Sequence, residues 1–324
     1  MRALILPLLA SVMLSAQGTQ LQYVPKVDPS LGNYAAGTQL DDALQAIGTD
    51  GMTDVWEEWK QAFQGLQPLV RFEVNHTLTK TAIQAMMDGK TKLIYLAREM
   101  SIEEIQAFER KFGYQPTKVI ACYDAFIIFV NGANPLKEIS MEQMDALLST
   151  TRKSGHKTDI ETWGDLGVRG SLSKRPIASY LRAEGTATRT ILKDLLLQKG
   201  LFKTTLNDRP DFPSIADAVV TDAAGLGIAG LAHWYSRNRT LAVAPLQSTD
   251  AVMPSQENVT SGKYPLARTY YFYLDRAPGK PLPPAVHEFL QFLLSKQGQQ
   301  AVAAASLYPV PAEIIQANRR RIRN

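Results

Sequence analysis

Two consecutive segments of the chain each run from a short apolar strand through a polar loop into an amphipathic helix. The first strand is predicted at Leu69–Val74 and the second at Lys92–Ala97. Strands that alternate with helices in this way predict a parallel α/β sheet covered by helices. In such sheets, ligands bind outside the carboxyl ends of the strands. The loops that follow these two strands are therefore candidate binding loops.

A long apolar segment divides the chain into two parts. Val119–Val130 is predicted as one strand, interrupted only by Tyr123 and Asp124, and it is long enough to pass from one lobe to another. The small, apolar segment Gly225–Leu231 is predicted to be the strand that returns. A chain of 324 residues has the length for two domains. We therefore expect lobe I in residues 37–123 and 241–324, and lobe II in residues 124–240.

Residues 1–18 have the layout of a secretory signal peptide. Arg2 precedes a short apolar run, and Ala16 and Gly18 provide small residues for cleavage. The run is too short to span a bilayer permanently, and no cysteine lies near the cleavage region to carry a lipid. We expect an exported, soluble protein of the periplasm that is not a lipoprotein.

The sequence shows no spacing typical of a metal site or of a catalytic nucleophile. Cys122 is the single cysteine and lies in an apolar strand, so it is predicted to be a buried structural residue. The glycines at 225, 227 and 230 lack the following helix that a dinucleotide site requires. We predict no metal, no cofactor and no enzymatic activity. The four histidines, which fall in unrelated segments, are His76, His156, His233 and His287.

The net charge of the chain is mildly positive. It is +4 at pH 7, with a pI near 9.0, and this balance suits an anionic ligand. The basic residues are spread along the chain except in the segment Arg319–Arg323. We expect that segment to be solvated and expect no nucleic acid partner.

The segment Pro176–Leu197 has the features of an anion site. A strand is predicted to end before Arg182, and after a turn a helix begins with Thr186 as its N-cap and Ala187 and Thr188 in its first turn. A helix N-terminus attracts anions through its unpaired N–H groups and its dipole. A guanidinium adds a planar set of donors. The alternative interpretation is an ordinary capped helix in which Arg182 is a surface charge.

Several short motifs occur in a fixed order between about Ile47 and Pro311. Together they resemble the periplasmic phosphate-binding proteins of ABC phosphate uptake, and more broadly the type 2 solute-binding proteins. The resemblance implies an α/β fold of the two-lobe periplasmic binding protein (type II) class. Its two mixed sheets are flanked by helices and joined by two crossing strands. The motifs are Gly48–Met52, Ala97–Ser101, Asp124, Asn134-Pro135, Ala224–Gly227 and Ser261–Arg268.

The resemblance also implies which residues hold the ligand. The family carries Arg-x-x-x-Ser-Gly-Thr, and Arg182 has the same spacing from Thr186, Ala187 and Thr188. A second alignment places Glu184-Gly-Thr186 on the motif, which would bring a carboxylate against the anion. From lobe I the resemblance implies contacts from Thr49, Thr79 and Arg98.

One departure from the family concerns the proton of hydrogen phosphate. Phosphate binders of this family accept that proton with an aspartate at or near the position of Ala97. An ionised carboxylate is an acceptor only, and so distinguishes a protonated oxyanion from sulfate. Asp50 and Asp124 are the candidates to take over this role.

The sequence therefore predicts an exported protein that captures an oxyanion between two lobes, with inorganic phosphate as the leading candidate. It would deliver the ligand, as a monomer, to the membrane permease of an ABC transporter or report it to a sensor. One alternative is a scaffold that has lost or changed its ligand and acts as an interaction domain. Another is an exported phosphatase, which would need a two-metal cluster or an activated nucleophile.

Overall fold

The computed structural model of the chain describes residues 24–37, 39–234 and 236–323. The predicted signal peptide lies outside these residues. Both predicted units of strand, loop and helix are confirmed, with bounds displaced by a few residues. The first part of the chain contains β1 (Ala43–Thr49), α1 (Thr53–Gln64), β2 (Arg71–Thr77), α2 (Thr79–Met87), β3 (Leu93–Leu96) and α3 (Ile102–Phe112).

The rest of the described chain begins with the long strand that was expected to cross between lobes. It consists of β4 (Thr117–Asn131), β5 (Glu138–Ser140), α4 (Met141–Leu148), β6 (Ala178–Arg182), α5 (Ala187–Leu197), β7 (Asn207–Arg209), α6 (Phe212–Thr221), β8 (Gly225–Gly230), β9 (Asn238–Thr240), β10 (Ala242–Ala244), α7 (Gln256–Thr260), β11 (Ala267–Leu274), α8 (Pro284–Leu293), α9 (Lys296–Ala304) and α10 (Ala312–Arg323).

The strand β4 belongs to both lobes. Its residues 117–125 pair antiparallel with β11, and its residues 126–130 pair antiparallel with β8. The sheets of the two lobes therefore join along β4 in the order β2-β1-β3-β11-β4-β8-β6-β7, with β9 also on β4. Because parallel and antiparallel pairs both occur, the predicted mixed α/β fold is confirmed.

The segment predicted to return between the lobes does not do so. It forms β8, which pairs with β4 on one side and parallel with β6 on the other, so it is an inner strand of lobe II. The chain instead returns through residues 245–266 to β11. β10 pairs with β5, so residues 242–244 share a two-stranded sheet with residues 138–140. The lobe bounds stay a prediction.

An aromatic core fixes the position of α1 in lobe I. Trp56, Trp59 and Phe63 lie three and four residues apart, share one helix face and are fully buried. The Trp56 ring stacks on Phe289 of α8 at a centroid distance of 5.1 Å. The indole N–H of Trp59 donates to the Gly298 carbonyl at 3.1 Å. These contacts hold the N-terminus of α1 close to the carboxyl end of β1.

The basic C-terminal segment is a helix and not a solvated tail. Ile315, Asn318 and Ile322 of α10 are buried. The Asn318 side chain accepts a hydrogen bond from the Ile120 N–H at 3.2 Å and donates one to the Ile120 carbonyl at 2.8 Å. These contacts hold α10 against β4. Arg320, Arg321 and Arg323 are exposed, whereas the Arg319 guanidinium donates to the Leu294 carbonyl at 2.8 Å.

Candidate functional site

The carboxyl ends of the parallel strands of lobe I lie side by side. Thr49, the last residue of β1, is in register with Thr77, the last residue of β2. Gly48 is in register with Tyr95, near the end of β3. Thr79 and Arg98 follow β2 and β3 within two residues. The lobe I residues predicted to bind the ligand therefore lie at, or just after, the same edge of the sheet.

The turn after β1 is tightly built. A Cβ at Gly48 would lie 2.1 Å from the Tyr95 carbonyl oxygen, so only glycine allows β1 to approach β3 this closely. Thr49 is 7% exposed, and its hydroxyl accepts from the Gly51 N–H at 3.4 Å while donating to Asp50 Oδ1 at 3.4 Å. The predicted ligand hydroxyl therefore also shapes the turn, a single 3₁₀ turn at Asp50–Met52.

Two helices begin at this edge without a side-chain cap. Leu78 stands at the N-cap of α2, directly before Thr79, and Met52 stands at the N-cap of α1. Neither position has a side chain that hydrogen-bonds to the first turn. The first N–H groups of a helix have no partner within the helix. At α1 the Thr53 N–H already donates to the Asp50 carbonyl, so the start of α2 is the better placed of the two to donate to an anion.

Arg98 is paired within its own lobe. Its two terminal nitrogens each lie 2.8 Å from a carboxylate oxygen of Glu104. The hydrogen bond to Glu104 raises the pKa of Arg98, and the same contact lowers the pKa of Glu104. Glu104 also accepts from the Ser101 N–H in the predicted capping box of α3, which is confirmed. The contact of Arg98 with a ligand stays a prediction, and it requires the guanidinium to leave Glu104.

In lobe II, Arg182 lies at the carboxyl edge of the sheet. It is the last residue of β6 and is in register with Arg209 of β7. Its guanidinium carbon lies 5.3 Å from the centre of the Phe212 ring. Its Nε is buried and has no hydrogen-bond partner among the described residues. Arg182 is thus only partly exposed, unlike an ordinary surface charge, and a buried unpaired donor is what an anion would satisfy.

The predicted N-cap of α5 is confirmed. The Thr186 hydroxyl accepts from the Arg189 N–H at 3.3 Å and donates to the Ala183 carbonyl at 2.8 Å. The hydroxyl hydrogen of Thr186 is therefore used inside the loop. The donors left at this helix start are the N–H groups of Ala187 and Thr188 and the Thr188 hydroxyl.

His233 lies directly after β8, in the single 3₁₀ turn Leu231–His233. Its ring centre is 5.1 Å from that of Phe212, so this phenyl ring contacts both His233 and Arg182. Burial lowers the pKa of His233, while the charges of Asp124, Asp54 and Asp211 raise it. Asp54 belongs to α1 of lobe I, and Asp211 caps α6 of lobe II. The imidazole is therefore near charged residues of both lobes.

A buried polar cluster lies on the paired strands β4 and β11. The Asp124 carboxylate, 3% exposed, pairs with the Arg268 guanidinium and accepts from the Tyr270 hydroxyl at 3.0 Å. The guanidinium carbon of Arg268 lies 4.0 Å from the centre of the Phe126 ring. Asp124 is one of the two predicted proton acceptors, and its carboxylate is already engaged by these partners.

Four residues of this region were not predicted as part of the site. Arg268 lies in a motif that the sequence singles out, but its partner Asp124 is 144 residues away in the chain. His233 carries no local signal, since it is one of several scattered histidines. The sequence of the short strand β7 has no clear periodicity, so this strand was not predicted. The position of Phe212 beside Arg182, at the carboxyl edge next to β7, was therefore not predicted either. The four residues are Phe212, His233, Arg268 and Tyr270.

Neither metal ligands nor a membrane-spanning helix are found in the described part of the chain. No group of three or more His, Cys, Asp or Glu residues is placed to hold a metal ion there. The helices of those same residues are all too short or too polar to cross a membrane. Cys122 is buried as predicted, and burial raises the pKa of its thiol well above the ordinary value.

Comparison with known proteins places this geometry in a family. A family model described as a PBP superfamily domain matches residues 33–297. The phosphate-binding protein PstS of Pseudomonas aeruginosa is 35% identical over 291 residues, covering 90% of each chain. Protein SphX of Synechococcus elongatus is 23% identical, covering 87% of this chain and 81% of its own.

Solved structures share the fold at lower identity. A possible phosphate-binding protein from Planctomyces limnophilus superposes with a TM-score of 0.70 at 18% identity, covering 87% of this chain and 97% of its own. PstS from Borrelia burgdorferi superposes with a TM-score of 0.65 at 17% identity, covering 83% and 99%. Because the family model covers residues 33–297 and PstS is 35% identical over 90% of both chains, this chain belongs to the PBP superfamily, in the family of the phosphate-binding protein PstS.

Proposed function

We propose that the protein binds inorganic phosphate between its lobes and delivers it to the permease of an ABC phosphate transporter. The observation that carries the proposal is Arg182 at the carboxyl edge of lobe II, with a buried, unpaired Nε next to the start of α5. The 35% identity to a phosphate-binding protein over 90% of both chains supports phosphate as the anion.

The donors are arranged on both sides of the proposed cleft. From lobe II, phosphate would accept from Arg182, from the Ala187 and Thr188 N–H groups and from the Thr188 hydroxyl. The Thr186 hydroxyl caps α5, and its N–H donates to the Ala183 carbonyl at 3.4 Å, so a contact of this N–H with phosphate would require it to leave Ala183. From lobe I the donors would be Thr49, Thr79 and Arg98. Charge-assisted hydrogen bonds at helix starts are the usual means of holding such an anion.

We propose Asp50 as the acceptor for the proton of hydrogen phosphate. Ala97 offers no acceptor, and the Asp124 carboxylate is engaged by Arg268 and Tyr270. Asp50 is exposed at the carboxyl end of β1, next to Thr49. Replacing it by asparagine should weaken phosphate binding and leave sulfate binding unchanged or stronger, because sulfate carries no proton to donate.

The protein would act in the periplasm as a monomer, without cofactor or catalysis. The mature chain begins after a signal peptide in this proposal. Since Arg182 and the α5 start keep their donors, a ligand-binding role is favoured over a scaffold that has lost its ligand. A phosphatase role is not favoured, because the relatives compared are named as binding proteins.

Calorimetric titration of the chain without residues 1–18 tests the proposal. Phosphate, sulfate and molybdate are titrated into wild type, Arg182→Ala and the control Arg175→Ala, whose exposed side chain pairs with Asp222 at 3.4 Å. We expect micromolar or tighter phosphate binding, about 10- to 150-fold weaker in Arg182→Ala and unchanged in the control. Absence of binding with all three anions would overturn the proposal.

A further inference from the structure

The Tyr270 hydroxyl connects the buried cluster to the lobe I binding turn. Its oxygen lies 3.0 Å from Asp124 Oδ2 and 3.0 Å from the Gly51 carbonyl oxygen. Gly51 lies in the 3₁₀ turn Asp50–Met52, and its N–H donates to the Thr49 hydroxyl. One phenol therefore contacts both the joint strand β4 and the turn that carries Thr49 and Asp50.

A β-bulge lies next to Tyr270 in the paired strands β4 and β11. β11 pairs with β4 in register up to Tyr270 opposite Cys122, and the register then shifts between Tyr270 and Tyr271. The extra residue of this bulge is Ala121 of β4, so β4 bends where it faces Tyr270. The Arg268 guanidinium, which pairs with Asp124, holds the carboxylate beside the phenol. The position of Tyr270 is thus set from two sides.

The phenol has one hydrogen for two acceptors. Burial raises the pKa of Tyr270 well above its ordinary value, so the phenol keeps its proton. A carbonyl oxygen only accepts, and so does an ionised carboxylate. Because Arg268 supplies its own donors to Asp124, the carboxylate is satisfied even when the phenol hydrogen points to Gly51.

We propose that Tyr270 is a positioning residue for the phosphate site. It holds the Gly51 carbonyl by a hydrogen bond, and through it the orientation of Thr49 and Asp50, while the Arg268 guanidinium, whose carbon lies 5.6 Å from the centre of the Tyr270 ring, holds Tyr270. This inference rests on the proposed function, since it assigns a role within the same site. Tyr270 itself does not contact the ligand in this proposal.

Phosphate titration of Tyr270→Phe against a matched control tests the inference. The control is Tyr264→Phe, because Tyr264 is 1% exposed and its hydroxyl donates to the Phe126 carbonyl at 2.9 Å, away from the turn. We expect Tyr270→Phe to bind phosphate about 3- to 10-fold more weakly. Tyr264→Phe should stay within about twofold of wild type.

Two readouts separate positioning from a general loss of stability. In the ligand-free protein, Tyr270→Phe should speed amide hydrogen exchange at Gly51 and Met52, and Tyr264→Phe should not. In a Thr49→Val background, the loss caused by Tyr270→Phe should shrink, because both changes act on one turn. If the losses of affinity in the two variants were additive, or if Tyr270→Phe changed neither phosphate affinity nor amide exchange, this inference would be overturned and the proposed function would stand. Absence of phosphate binding by wild type would overturn the proposed function as well.

Discussion

The guanidinium carbon of Arg182 lies 5.3 Å from the centre of the Phe212 ring. Phe212 is the first residue of α6, and Arg182 is the last residue of β6. The start of one helix therefore sets the position of a charge at the end of a neighbouring strand. The attraction between a cation and an aromatic ring is worth about 0.5–1 kcal/mol at such partly exposed positions.

Removing this ring should weaken anion binding without removing a donor. We expect Phe212→Leu to lower phosphate affinity about 2- to 5-fold, measured by calorimetry. The matched control is Phe202→Leu, since the Phe202 ring lies under Arg189 at 4.2 Å, on a guanidinium that pairs with Asp208. Equal losses of affinity in the two variants would show that the ring acts only through the stability of lobe II.

The pairing of Arg98 with Glu104 should compete with ligand binding. Glu104→Gln removes the carboxylate but keeps the capping box, because glutamine serves at this position of the box as well. We expect the freed Arg98 to raise phosphate affinity about 3-fold, a typical gain for one partly exposed charge. Calorimetry at two salt concentrations measures this gain, which should shrink at high salt.

The double variant Arg98→Ala, Glu104→Gln is the control for this gain. If Arg98 contacts the ligand, the double variant should lose the gain of the single one. A gain that survives in the double variant would mean that removing the Glu104 charge acts at a distance, and Arg98 would then be no ligand residue.

Local features of the fold were predictable because their causes lie within a few residues. The N-cap of Thr186 and the capping box of Ser101 follow from short spacings that the structure retains. The buried face of α1 follows from the helical spacing of Trp56, Trp59 and Phe63. The long strand at the joint of the lobes was also predictable, because a long apolar segment interrupted only by Tyr123 and Asp124 is typical of a buried strand.

The rest depends on contacts between distant segments. Gly51 and Tyr270 are 219 residues apart in the chain, and the register shift between β4 and β11 beside Tyr270 has no local sequence signal. The prediction that β8 crosses between the lobes was wrong, because a small, apolar sequence suits an inner strand of one sheet as well as a crossing strand. The basic composition of α10 hid its apolar stripe, in which Ile315 and Ile322 are buried.

The contact of α10 with β4 should contribute measurably to stability. Asn318 serves both the N–H and the carbonyl of Ile120, so Asn318→Ala leaves two backbone groups without partners. We expect the free energy of unfolding to fall by about 2–3 kcal/mol, measured by denaturant titration. Gln316→Ala, at an exposed position of the same helix, should change it by less than about 0.5 kcal/mol. Equal effects of the two variants would mean that α10 does not stabilise β4.

The half-buried imidazole of His233 should make the protein less stable as the pH falls. Burial lowers the pKa of His233 from 6.5, against the opposing charges of Asp124, Asp54 and Asp211. Between the lowered pKa and 6.5, the unfolded chain therefore binds more protons than the folded one, and stability decreases with decreasing pH. One proton contributes at most about 1.4 kcal/mol per pH unit.

The variant His233→Gln removes this proton uptake. Below pH 6.5, the ordinary pKa of the group, its free energy of unfolding should fall less steeply with decreasing pH than that of wild type. Denaturant titrations of both proteins across this range measure how steeply each free energy of unfolding depends on pH. The difference between the two free energies at pH 8 gives the effect of the lost side-chain packing alone. If the two curves ran parallel down to pH 5, burial of His233 would carry no linkage. The imidazole would then be as well solvated in the folded protein as in the unfolded chain, which its packing on Phe212 argues against.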